Sequence, residues 1–243
     1  MTNESIISKA TNFVWAMFRL NLFVAASNVI LIVLVLTIPF HLVTIPLYIV
    51  GAYFLVMSLI AMFAVLKRLE DAEKISLWRL YCRCYGEEFK GSIWFALWYI
   101  LGALVLYSAY LGLPFVPEEI RFLPLYTLIG VLLYVHFVFA MLVKVNYITN
   151  LKGIWRIGLY CISRHPMYAL FIFGGTLIAG ALMNVFPILI VLGMVPGMGY
   201  LLTVATRKLF SDLAVKLKEN EPQVTPDDSN KADIDNDVES SNK

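Results

Sequence analysis

Six long apolar runs, each close to the length needed to cross a bilayer, decide what this chain can become. A helix needs about 20 apolar residues to span the hydrocarbon core. The runs cover about 20–38, 46–66, 93–113, 122–143, 167–183 and 186–206. Breakers or charges close most of them: Pro39, Lys67-Arg68, Pro114 with Pro117, Lys144, and Arg207-Lys208. Only Asn184 and Val185 separate the last two runs, which predicts a tight re-turning pair. The chain is 60% hydrophobic and 15% charged, against about 25% charged in an average soluble domain. One soluble core of this size could not hide so much apolar surface. The expected fold is therefore all-α. It is a polytopic membrane helix bundle of about six transmembrane helices, formed by residues 1–218, with lipid bilayer as its first partner.

Basic residues orient the bundle. The connections at 39–45 and 184–187 carry no Lys or Arg, and the 114–121 connection carries Arg121 alone. The other connections hold Lys67, Arg68, Lys74, Arg79, Arg83 and Lys90, then Lys144, Lys152, Arg156 and Arg164. The positive-inside rule makes that side cytoplasmic, with both chain ends there too. Residues 1–12 are polar and lack a cleavage pattern, so the first run is expected to stay as a span. Residues 219–243 are rich in Asp, Asn, Ser and Pro, and are expected to form a disordered acidic cytoplasmic tail.

The two long basic connections carry helical periodicity. Ile75, Trp78, Tyr81, Cys82, Tyr85 and Phe89 recur every 3–4 residues, with Arg79, Arg83 and Glu87 on another face. Leu151, Trp155, Leu159 and Ile162 form a second stripe, with Lys152 and Arg156 off it. Both predict amphipathic helices at the inner interface, either packed under the bundle as elbows or docking a partner. A shift of 77 residues places Lys67 on Lys144, Trp78 on Trp155, Arg79 on Arg156 and Cys84 on Cys161. That suggests an internal repeat of span, amphipathic helix and span.

Chemistry-bearing residues are few. Cys82, Cys84 and Cys161 lack zinc-ligand spacing and a disulfide pattern. No phosphate loop, catalytic Ser/His/Asp set or metal cluster is present, and no nucleic-acid footprint. No cofactor is expected. Arg164-His165-Pro166 stands where the second amphipathic helix meets the fifth span. It reads either as an anion contact at a helix start or as an interfacial anchor with an N-terminal proline. His136 is buried in the fourth span and Asn28 in the first. These two could hydrogen-bond to each other, or His136 could be a neutral residue satisfied across a helix interface. Gly193, Pro196, Gly197 and Gly199 should break the sixth helix, as a hinge or for close packing.

Two family resemblances compete. Arg164-His165-Pro166-Met167-Tyr168, with Gly158 and Tyr160, resembles the motif of the isoprenylcysteine carboxyl methyltransferase and phospholipid methyltransferase superfamily. That resemblance implies S-adenosylmethionine-dependent membrane methylation. The family's paired glutamates are replaced here by Ala205-Thr206-Arg207-Lys208.

The other resemblance runs along most of the chain and is to the YesL family of bacterial membrane proteins. It rests on Asn28 in the first span, Thr37-Ile38-Pro39 through Thr44-Ile45-Pro46-Leu47-Tyr48, Trp78-Arg79, Glu88-Phe89-Lys90-Gly91-Ser92, Arg164-His165-Pro166 and the stretch 193–210. It implies a plasma-membrane protein without established catalysis, assisting oligosaccharide uptake beside a carbohydrate ABC transporter or sensor kinase. An autonomous small-solute transporter is a third reading. The candidate contact residues are Trp78, Arg79, Trp155, Arg156, Arg164 and His165, and the candidate intramembrane polar residues are Asn28 and His136.

Overall fold

The computed structural model describes residues 6–39, 41–69, 76–112, 123–147 and 150–219. The 114–121 connection, Ile75 and the acidic residues 220–243 lie outside them. The fold is all-α, as expected. The chain divides into two compact units, residues 1–205 and 206–243.

In the first unit, α1 (Ile6–Ser27) and α2 (Val29–Thr37) are followed by the long α3 (Ile45–Lys67). Then come α4 (Leu77–Gly91), α5 (Ile93–Gly112), α6 (Leu123–Asn146), α7 (Leu151–Arg164), α8 (Pro166–Val185), α9 (Ile188–Leu192) and the start of α10 (Met194–Glu219). The described residues of the second unit, 206–219, continue α10 as helix.

Among the described residues, α3, α5, α6 and α8 are long and apolar enough to cross a membrane, and α1 with α2 adds a fifth span if the bent pair is one crossing. The chain is a multi-pass membrane protein.

Two of the six apolar runs are not continuous helices. The first bends by 63° at Asn28. The cause is local. Ser27 Oγ donates back to Phe23 O and Val24 O, and Asn28 Nδ2 donates back to Val24 O. Such back-bonding competes with the helical ladder and bends it. The helix begins at Ile6, well before the apolar run.

The sixth run breaks at Gly193, which takes the left-handed conformation at φ 100°. A Cβ there would meet the Met17 carbonyl at 2.9 Å, so α1 passes directly over the break. Pro196 falls in the first turn of α10, where its missing N–H is no loss. Gly199 fits the close-packing expectation: a Cβ would meet Met62 and Leu66 of α3 at 2.9 and 3.1 Å.

The 77-residue shift lays one run of three helices on another. α3, α4 and α5 are matched by α6, α7 and α8. The C-terminal half of α3, residues 56–66, is almost wholly buried, and so are residues 135–136 and 138–143 of α6. Cys84 of α4 and its counterpart Cys161 of α7 are both buried. These are the small, tightly packed positions that let each amphipathic helix fold back under its span.

Candidate functional site

The charged ends of α3 and α6 lie together. Lys67 Nζ donates to the carbonyl of Val145 at 3.0 Å, satisfying an orphan group at the end of α6. Lys144, its counterpart at the end of α6, reaches the Glu88 carboxylate of α4 at 3.0 Å. Glu88 also accepts from Ser92 Oγ at 2.8 Å. The two spans therefore run in the same direction, and α4 and α7 both start from the same end of the bundle. That end carries the chain's basic connections.

Each amphipathic helix is fastened by its apolar face. On α4, Leu80, Tyr81 and Cys84 are buried. Tyr81 Oη pairs with Ser27 Oγ at 2.8 Å, and Phe23 of α1 packs edge-on against Trp78 at 4.8 Å. Burial pushes the Tyr81 phenol up to about 12, against the opposing effect of the Ser27 hydrogen bond. Tyr53 of α3 donates its hydroxyl to the Phe89 carbonyl. Arg68 spans the elbow, 3.9 Å from Glu87 and 3.8 Å from the Cys84 sulfur. On α7, Asn150 caps the first turn by accepting from Gly153 N at 2.8 Å. Ile154, Gly158 and Cys161 form its buried stripe. Burial raises the Cys161 thiol to about 11 and raises Cys84 as well.

The polar faces point away from the bundle. Arg79, Arg83, Lys152, Arg156 and Arg164 are exposed, and none of them forms an ion pair among the described residues. Trp78 is half exposed. His165 sits in the one-residue joint between α7 and α8, edge-on to Tyr160 and Tyr168. Pro166 takes the first position of α8, as expected.

Trp155 behaves differently from its counterpart Trp78. Its ring packs on His136 at 4.5 Å, stacks with Tyr99 and meets Trp98 edge-on. Sequence reasoning separated Trp155 from His136; the structure places them in one cluster.

His136 and Asn28 do not meet, against the pairing the sequence suggested. His136 Nδ1 lies 2.8 Å from Tyr99 Oη and Nε2 lies 3.4 Å from the Trp155 carbonyl. A carbonyl only accepts, so Nε2 carries the proton and Nδ1 accepts from the Tyr99 hydroxyl. One neutral tautomer satisfies both bonds. His136 is thus the satisfied interfacial histidine of the blander expectation. It ties α5, α6 and α7 together.

Asn28 instead donates to Ser58 Oγ at 2.6 Å, while its buried Oδ1 has no hydrogen-bond partner among the described residues. Sequence reading missed Ser58, Tyr99 and Glu88. A hydroxyl within each span was the available signal for the first two. The spacing set Glu87 on the polar face with Arg79 and Arg83 and named no partner for Glu88.

No group of three His, Cys, Asp or Glu side chains among the described residues could hold a metal ion. No family model, curated protein or solved structure matches the chain.

Proposed function

We propose that the chain is a YesL-like, non-enzymatic protein of the plasma membrane that assists carbohydrate uptake or its regulation. The surface that meets its partner, a carbohydrate ABC transporter or a sensor kinase, is formed by the outward faces of α4 and α7. The observation that carries this reading is the rigid seating of both helices at one end of the bundle. Leu80, Tyr81 and Cys84 of α4 and Ile154, Gly158 and Cys161 of α7 are buried, while Arg79, Arg83, Lys152, Arg156 and Arg164 face outward. A helix held this way presents its charges at little ordering cost to a partner. By the positive-inside rule that end is cytoplasmic.

The methyltransferase reading draws on Arg164-His165-Pro166. Here Arg164 ends α7 as an exposed side chain, and His165 is flanked by tyrosines rather than by a carboxylate. The motif works as the joint between two helices, and its proline starts α8.

The test is deletion of the gene followed by uptake assays across oligosaccharides, with S-adenosylmethionine binding measured on the purified protein. Slower uptake of at least one oligosaccharide and no S-adenosylmethionine binding are expected. Unchanged uptake of every oligosaccharide, with no transporter subunit co-purifying, overturns the proposal. Saturable S-adenosylmethionine binding would replace it with the methyltransferase reading.

A further inference from the structure

The half of the bundle remote from α4 and α7 is loosely packed. On α3 and α6, burial is concentrated toward the charged end, and the remote halves are mostly part-exposed. Between them opens a cavity of about 660 Å³, well inside the usual range of about 300–1,000 Å³ for small-molecule sites. Its walls run from Tyr48 to Val56 on α3 and from Tyr99 to Tyr107 on α5, with Leu31 of α2 and Leu133 of α6 closing the sides. Eight residues of helix rise about 12 Å. The cavity is therefore nearly as deep as one leaflet's hydrocarbon, about half of a 30 Å core.

The lining is apolar apart from Tyr48, Tyr99, Tyr107 and Tyr134, and three of the four hydroxyls are turned to other work. Tyr48 donates to the Ile38 carbonyl at 2.5 Å, Tyr99 pairs with His136, and Tyr134 pairs with Thr176 Oγ1 at 2.8 Å. The ring faces remain for the cavity.

Water needs two to four polar partners to settle in such a space, and these walls do not supply them. A void would forfeit dispersion contacts along its whole lining. A sugar would leave its hydroxyls unpaired. The same helices turn Leu101, Val105 and Leu132 outward, and Tyr107 of the lining is itself exposed.

We propose that this cavity is a binding site for one hydrocarbon chain of a membrane lipid, entering from the leaflet remote from α4 and α7 and ending on Tyr99 and Phe137. Entry gains little from the hydrophobic effect, because the chain leaves one hydrocarbon medium for another. The gain is contact with helix walls that otherwise face nothing. An acyl chain and a polyprenyl chain share this chemistry.

The full-length protein is reconstituted in phosphatidylcholine vesicles with a diazirine halfway along one acyl chain. After illumination, adducts are located by peptide mass spectrometry. Ile49, Ala52 and Leu133 should be labelled as well as the lipid-facing Leu101, Val105 and Leu132. A Cβ at Gly130 meets nothing within 4 Å, so Gly130→Phe places its ring in the cavity without displacing backbone. Gly130→Phe, or Ala52→Phe as a second filling variant, should lose the lining adducts and keep the lipid-facing ones. Adding polyprenyl phosphate assigns the source. Displacement of the lining label identifies a polyprenyl chain, and retention identifies an acyl chain. Absence of lining adducts in the wild-type protein overturns the proposal. So does lining label that both filled variants retain.

Discussion

Gly158 tests how tightly α7 is seated. A Cβ added there would lie 2.9 Å from His136 Nε2 and 3.2 Å from its Cδ2. Ordinary contacts of this kind sit near 3.5–4.0 Å, so Gly158→Ala must move either the ring or the helix by several tenths of an ångström. The ring is pinned on both nitrogens, by Tyr99 and by the Trp155 carbonyl. Overpacking of this sort costs about 1–3 kcal/mol. Alanine's better helix propensity returns up to about 1 kcal/mol. With the full return the net loss is up to about 2 kcal/mol, or up to about 8 °C in Tm at about 2–4 °C per kcal/mol for a chain of this size.

Gly86 on α4 is the control, because a Cβ there meets nothing within 4 Å. Gly86→Ala should gain about 0.5–1 kcal/mol and raise Tm. The assay is thermal unfolding of the purified protein in detergent, followed by circular dichroism. In a His136→Ala background the Gly158→Ala penalty should disappear, giving a coupling of about 1 kcal/mol or more. The reasoning fails if Gly158→Ala is as benign as Gly86→Ala, or if its penalty survives the removal of His136.

Three other outcomes follow from the same geometry. Glu88→Gln weakens the mostly covered pair with Lys144 and should lower stability by about 1 kcal/mol. Glu87→Gln, whose partner Arg68 is 3.9 Å away with both side chains about half exposed, should change it by less than about 0.5 kcal/mol in the same melts. Cys161 ionises near its ordinary 9 when unfolded and near 11 when folded, and Tyr81 near 10 and near 12. The folded state holds these protons longer, so the stabilisation is complete below about pH 9 and is lost as pH rises toward 11–12. Melts at pH 8 and pH 11 should show that loss, and Cys161→Ala should reduce it. Cys82 is exposed while Cys84 and Cys161 are buried. A membrane-impermeant maleimide should therefore label Cys82 alone in inside-out vesicles and no cysteine in intact cells. Labelling in intact cells would reverse the proposed orientation.

Periodicity carried most of the fold. The middle spans and the helices at Trp78 and Trp155 follow from apolar spacing, but the buried faces of the two amphipathic helices do not. Of the spaced residues Tyr81 is buried, while Trp78, Cys82, Phe89 and Leu159 are exposed, and Ile154, Gly158 and Cys161 are buried in place of Leu151, Trp155 and Ile162. The bends did not follow from it. Ser27 and Asn28 look like two tolerated polar residues in an apolar run. Only the back-bonding of both side chains into one turn makes them a 63° bend. The Asn28–His136 pairing failed for a similar reason. Composition shows that each needs a partner, but not that Ser58 and Tyr99 stand nearer. The division of labour between the two tryptophans was hidden as well. The two tryptophans have different neighbours, Phe23 of α1 for Trp78 and Tyr99 of α5 for Trp155.

The central claim is that the outward faces of α4 and α7 are a docking surface for a carbohydrate transport or sensing partner. Quantitative co-purification from native membranes tests it most directly, comparing wild type with Arg79→Glu/Arg156→Glu at equal expression. Both side chains are exposed and unpaired among the described residues, so the variant should fold and melt as wild type does. The account predicts that a carbohydrate permease subunit or sensor kinase comes down with wild type and is lost from the variant. Equal recovery with both proteins, or neither partner recovered with wild type, would contradict it.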